Sequence, residues 1–128
     1  MAVPSDEAFV LKRIPFRETS LLVTLFSRRA GKIKVLAKGI RKPKKPLTVL
    51  FEPLTCLSIV YYEKLRSDIH LLSKADILDS HAPLRDRLAS FSYGSYLAEL
   101  MDALLGFHDP HPKAYELLER SLQLLDQA

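Results

Sequence analysis

The chain has 128 residues, 48% of them apolar, and a formal net charge of +4. That length holds one domain with a single modest core, or one domain plus a fragment of a second, and the apolar fraction excludes a disordered polymer. The charge is unevenly placed: residues 1–66 carry 14 Lys or Arg against 5 Asp or Glu, and residues 67–128 carry 5 against 10. A basic half joined to an acidic half points to polyanion binding in the first part. One cysteine, Cys56, excludes a disulfide framework or a cysteine zinc site built within the chain. The polar start MAVPSDEAF has no signal-peptide pattern, and no apolar run approaches the about 20 residues of a membrane span. The expectation is a soluble cytoplasmic protein without a membrane partner.

Ala8–Ile14 is an apolar run of strand formers that Pro15 ends or kinks. Ser20–Ser27 (SLLVTLFS) is a second strand, apolar on both faces, which suits a curved or closed sheet. Arg28 to Gly31 reads as a tight turn, with Gly31 supplying a positive φ. In the third strand, Lys32–Lys38, Ile33, Val35 and Ala37 share one face, and Lys32, Lys34, Leu36 and Lys38 share the other. Gly39–Pro46 (GIRKPKKP) is a cationic loop, kept extended by its own charge until an anion arrives. Thr55–Tyr62 alternates as a fourth strand. Ile69–Leu78 is a fifth, with Ile69, Leu71, Ala75 and Ile77 facing one way and His70, Lys74 and Asp76 the other.

After Pro83 the apolar period becomes helical, through Leu84, Leu88, Phe91, Ala98, Met101 and Leu105, with Gly106 just past the end. A loop HDPHP follows, with Asp109 as N-cap of a second helix whose face is Tyr115, Leu118, Leu122 and Leu125. That leucine face needs a partner: the first helix, another chain or further sequence. The sum is an α+β protein, a five-stranded OB-fold β-barrel followed by two α-helices, with residues 1–79 as the barrel and 80–128 as a helical segment. An SH3-like barrel competes on strand count alone.

Nothing in the pattern argues for catalysis. Cys56 lies among apolar strand residues, and no phosphate-cradling glycine motif is present. His108 and His111 with Asp109 lack a fourth metal ligand, and Glu99 with Asp102 reads as ordinary helix surface. What remains is residues 28–46, which hold nine Lys or Arg and no Asp or Glu. The candidate nucleic-acid contacts are Arg28, Arg29, Lys32, Lys34, Lys38, Arg41, Lys42, Lys44 and Lys45, because phosphate neutralisation carries most non-specific affinity. Phe16 and Tyr62, near strand ends, are the candidates for base stacking.

The segments Arg17-Glu18-Thr19-Ser20 leading to Thr24-Leu25-Phe26, then Gly31-Lys32, then Ala37-Lys38-Gly39-Ile40-Arg41-Lys42 resemble the opening of the bacterial RecO family of recombination mediators. Phe51-Glu52-Pro53-Leu54, the paired Tyr61-Tyr62, Ala75-Asp76-Ile77-Leu78-Asp79-Ser80 and Tyr96-Leu97-Ala98-Glu99-Leu100 continue the resemblance in order. Ser20 stands where the family usually has Asp, and Lys45-Pro46-Leu47 replaces its usual Lys-Ser or Arg-Ser step. The resemblance implies a non-catalytic protein of recombinational DNA repair. Such a protein binds single- and double-stranded DNA, anneals strands and assists recombinase loading with RecR and single-stranded-DNA-binding protein, associated with the nucleoid. It implies no cofactor in this stretch, since the family's zinc module would lie beyond Ala128. Two alternatives stand beside it. One is an interaction module that docks the acidic tail of a single-stranded-DNA-binding protein, near Lys113 or Arg120. The other is an RNA-binding OB or SH3-like barrel.

Overall fold

In the computed structural model, residues 3–41 and 48–128 are described. Five strands come first: β1 (Ser5–Phe16), β2 (Ser20–Ser27), β3 (Gly31–Ala37), β4 (Cys56–Tyr62) and β5 (Ile69–Asp79). They close into a barrel in the order β1-β2-β3-β5-β4, with β4 returning to β1. Every pairing is antiparallel except the short parallel contact of β3 with β5 at residues 34–36 and 69–71. This is the OB-fold order, so the OB expectation holds and the SH3-like alternative falls.

Alternation explains the barrel's two surfaces. Val10, Leu25 and Val35 point inward, with Leu57 and Ile59 from β4, and Phe51 from a 3-10 turn (Thr48–Phe51) plugs the same core. Arg13 closes that end by donating to the Thr48 carbonyl at 2.6 Å and to Glu52 at 3.0 Å. Outward, Phe9, Leu11 and Phe26 form a second core with Tyr115, Leu118 and Leu122. Both faces of β2 are apolar because one lines the barrel and part of the other lies under helices.

β1 is longer than the sequence suggests and runs through Pro15. Its pairing with β4 stops at Phe9, so Pro15 lies where β1 has only β2 beside it, and its missing N–H costs no ladder bond. β5 breaks the expected period-two pattern at Ser73, which has no partner between the pairs Val60–Lys74 and Tyr61–Leu72. Such a bulge switches the inward face, so His70 and Leu72 point in before it and Ala75 after it. His70 is therefore buried, not displayed beside Lys74 and Asp76.

The helical part has three segments where two were expected: α1 (Ala82–Arg85), α2 (Leu88–Leu104) and α3 (Pro112–Gln127). Arg87 takes an extended conformation and ends α1. Its guanidinium caps the far end of α3, donating to the Leu125 carbonyl at 2.7 Å and the Asp126 carbonyl at 3.0 Å. Of the expected stripe, Leu84 and Ala98 are buried and Met101 and Leu105 pack against the second core, but Leu88 and Phe91, just past the break, are exposed, and the first turns of α2 bury Ser90 and Gly94 instead. The residue before α3 is His111, not Asp109. The backbone carbonyl of Asp109 instead packs where a Cβ on Gly31, at φ +76°, would have to go.

The barrel and the two preceding helices together cover α3's apolar face. Tyr115, Leu118 and Leu122 are fully buried, and the Tyr115 ring sits 5.0 Å from Phe9 and 5.4 Å from Phe26. Each such side chain contributes roughly 1.5–3 kcal/mol on burial. The leucine face is thus largely partnered within the chain, while Leu117 and Leu124 stay exposed.

Candidate nucleic-acid interface

The six basic candidates that lie among the described residues do not form one site. Arg28 and Arg29 occupy the turn before β3, and Lys38 and Arg41 lie past its other end, a strand length of roughly 20 Å away. Arg28 is an internal tie. It bonds Glu7 at 3.1 Å and Glu119 at 3.0 Å, and its guanidinium lies 4.4 Å from the centre of the Tyr115 ring. Arg29 is exposed, its backbone N–H donating to Asp6 at 3.0 Å. Lys32 is 7% exposed and its ammonium is bonded into α2, to the Asp102 carbonyl at 2.8 Å and its carboxylate at 3.4 Å. A buried, bonded lysine is not offered to a phosphate, so Lys32 leaves the candidate set.

Lys34 is half-buried and Lys38 exposed, both on the open side of the barrel. Arg41 shapes this region more than it displays charge. It donates to the Arg17 carbonyl at 2.6 Å and the Ser20 carbonyl at 3.1 Å, and its N–H bonds the Thr19 carbonyl at 2.8 Å. It clamps the β1–β2 turn against the end of β3. Lys42, Lys44 and Lys45 lie outside the described residues.

The sheet register shows what the cations surround. Ile14 pairs with Leu22, Leu22 with Leu36, Leu36 with Leu71, and Leu71 with Tyr62. Directly paired residues share a face, and none of these five is buried, so together they form an apolar row across the outside of the barrel. One parallel row reads Lys12, Thr24, Lys34 and Ile69. On the other flank a cleft of about 390 Å³ is lined by Phe16, Arg17, Ser20, Leu36 and Lys38 among others. The Arg17 guanidinium lies 5.2 Å from the Phe16 ring centre. Phe16 lies on β1 two residues past the row's Ile14, and Tyr62 ends the row on β4. Arg17, Lys34 and Lys38 have no carboxylate within ion-pair distance among the described residues.

Sequence reading alone misses Arg17 and the Ile14-to-Tyr62 row. Arg17 adjoins Phe16 in a turn at φ +56°, a cue that appears only with the backbone. The row appears only when strand register is known.

Elsewhere the titratable groups serve structure. Asp102 is pushed up by burial, but Lys12 at 3.0 Å and Lys32 more than offset this and hold it below its ordinary value. Burial raises the Cys56 thiol to about 11, so it is not a thiolate nucleophile near neutral pH. A four-cysteine zinc site does not fit a chain whose single cysteine is buried beside Tyr115. Asp79, His81 and Asp126 converge. Asp126, however, already accepts from the Leu84 N–H at 3.2 Å and holds His81 Nδ1 at 2.7 Å, so the trio latches the end of α3 to the start of α1. No helix among the described residues is long and apolar enough to cross a membrane.

A closed barrel with helices packed on part of its outside and a cation-edged apolar row left uncovered beside them places the chain in the OB-fold class, whose strand faces take oligonucleotides or oligosaccharides. A family model described as recombination protein O N terminal matches residues 1–81, and one described as recombination protein O C terminal matches residues 85–128. The chain belongs to the RecO family. It is 37% identical to the DNA repair protein RecO of Salinibacter ruber over 127 residues, which is 99% of this chain and 49% of that protein. It is 36% identical to the RecO of Koribacter versatilis over 123 residues, 95% of this chain and 49% of that one. With the RecO of Prosthecochloris aestuarii it shares 33% over 116 residues, 91% and 44% of the two chains. The chain spans about half the length of the curated relatives it matches.

Proposed function

We propose that this chain is a non-catalytic DNA-binding module of recombinational DNA repair. The observation that carries the reading is the open barrel face, an apolar row from Ile14 to Tyr62 edged by Arg17, Lys34 and Lys38. The cations neutralise phosphates and release counterions, while apolar and aromatic groups receive unpaired bases. Lys42, Lys44 and Lys45, which follow Arg41 in sequence, join this set on their charge. Screening the repulsion between two strands on such a surface promotes their annealing without any group that makes or breaks a bond. Membership in the RecO family supports the repair context and, through it, recombinase loading beside RecR and single-stranded-DNA-binding protein.

The test is the salt dependence of binding to a labelled single-stranded oligonucleotide, read by fluorescence anisotropy, with annealing of complementary strands followed in parallel. Affinity falls steeply with salt if phosphate neutralisation drives it. Equal binding at low and high salt would overturn the reading. A single-stranded RNA of the same sequence serves as competitor, and preference for the RNA would move the assignment to the RNA-binding alternative.

A second reading concerns the helices. Lys113, Leu117, Arg120 and Leu124 line one side of α3 as a shallow groove, an arrangement suited to an acidic, partly apolar peptide tail. Binding of an acidic tail peptide that survives Arg120→Glu would exclude this groove.

A further inference from the structure

We propose that Phe107, on the connection between α2 and α3, is a base-stacking residue that extends the open barrel face and makes it prefer unpaired DNA. This rests on the reading of that face as a DNA interface and adds to it a contact from outside the barrel.

β2 occupies one edge of β3 along its whole length, and β5 occupies the other edge only at residues 34–36. Two residues before β5 arrives at Lys34, Phe107 makes a parallel bridge to Lys32. It therefore stands in the lane of β5, next to Ile69 and in line with Leu71. Phe107 is 45% exposed, and two ammonium groups lie near its ring, Lys32 at 4.4 Å and Lys34 at 5.5 Å from its centre. The Lys32 ammonium is fixed by Asp102, so the ring rests against a buried cation and keeps surface toward solvent.

The space beside the ring is a cleft lined by Lys34, Asp68 and Phe107. Lys34 suits a phosphate. The carboxylate of Asp68 would repel a second one and instead accepts from a base's amino group. A phosphate on Lys34 with its base turned toward Phe107 satisfies both. A base in a duplex has its faces covered by its neighbours, so this contact is available to an unpaired base.

The ring sits on a fixed loop. The His108 N–H donates to the Lys32 carbonyl at 2.8 Å, and the Asp109 carbonyl packs against Gly31. His70 Nδ1 accepts from the Lys64 N–H at 3.0 Å, so its proton is on Nε2, which donates to His108 Nε2 at 2.9 Å. With the loop held in this way, binding orders little that is loose beforehand.

The chain contains no tryptophan, so F107W carries its only indole. Anisotropy is measured with a labelled single strand and with its duplex for the wild type, F107L and F107W, and thermal melting checks the fold of each. Leucine keeps apolar bulk and removes the aromatic face. The expected result is a loss of single-strand affinity in F107L of between about 5-fold and about 100-fold, with duplex affinity kept within about twofold of wild type. F107W binds single strands as the wild type does, and its emission is quenched by the single strand and not by the duplex. Unchanged single-strand affinity in F107L, or equal losses on both substrates, overturns the stacking role while the interface reading stands. If the wild type binds neither substrate, the interface reading fails with it.

Discussion

Replacing Arg17, Lys34 and Lys38 together by glutamine tests the electrostatics of the open face most directly. Two of the three are exposed and the third is half-buried, and none has an ion-pair partner among the described residues. Their removal therefore leaves the fold's own ion pairs intact. If each contacts one phosphate, three contacts at a slope of about 0.7 per contact change d log K/d log[salt] by about 2 for a single strand. Over the tenfold interval from about 1 M to about 0.1 M salt, that slope is about a 100-fold loss of affinity at the lower concentration. Anisotropy titrations at four or five salt concentrations give both numbers. Lys32→Gln is the internal control: its ammonium is bonded to Asp102, so the slope stays at the wild-type value while stability falls. A triple variant whose slope matches wild type, or a Lys32→Gln slope that drops by about 0.7, would refute the division of lysines made here.

Other perturbations bear on the fold around that face. Gly31→Ala places a Cβ on the Asp109 carbonyl at a residue with φ +76°, and should cost more than the about 1–2 kcal/mol of the left-handed conformation alone; urea unfolding measures it. Leu118→Ala empties a fully buried site in the core shared by barrel and helices, with an expected loss of about 2–5 kcal/mol in the same assay. Burial, reinforced by His108, holds His70 below its ordinary 6.5, whereas the farther carboxylates Glu63 and Asp68 pull it upward. The unfolded chain then takes up the proton first, so stability is complete above about pH 6.5 and declines as pH falls below it. Melting temperatures across that range should show the decline, and a His70→Gln variant should flatten it. Asp102, held below its ordinary 3.8, adds stability that is present above that value and lost as pH falls through its lower folded value; Asp102→Asn should remove this second, more acidic step.

The barrel was legible because its period-two signal is strong where one strand face is sealed. Ile33, Val35 and Ala37 sit where alternation puts them. It failed where a single residue changes the phase. Ser73 bulges out of β5, and the break before Leu88 turns Leu88 and Phe91 out of the stripe that Ala98 and Met101 keep; neither leaves a composition signal. Charge was legible as a total and not as a location. Arg28 and Lys32 look like Lys34 and Lys38 in a row of letters. The first two are bound by Glu7, Glu119 and Asp102, acids 21 to 91 residues away in sequence. Strand register, which no single sequence states, was needed to line up Ile14, Leu22, Leu36, Leu71 and Tyr62. Gly31 was readable as a turn residue, but its second constraint, the carbonyl of Asp109 against it, comes from the far end of the chain.

The seam where residues 107–109 lie along β3 is a link between barrel and helices additional to the core they share. On one side of it are Lys34 and the open barrel face; on the other, α2 and α3 diverge from the same short connection. If a ligand on the helices displaced this seam, a ligand on the barrel that holds it in place would oppose the displacement. Whatever coupling free energy results is the same in both directions: a helix-bound partner that tightens DNA binding tenfold is itself bound tenfold more tightly when DNA is present. The connection is one route, beside the shared core, by which two occupants would sense each other.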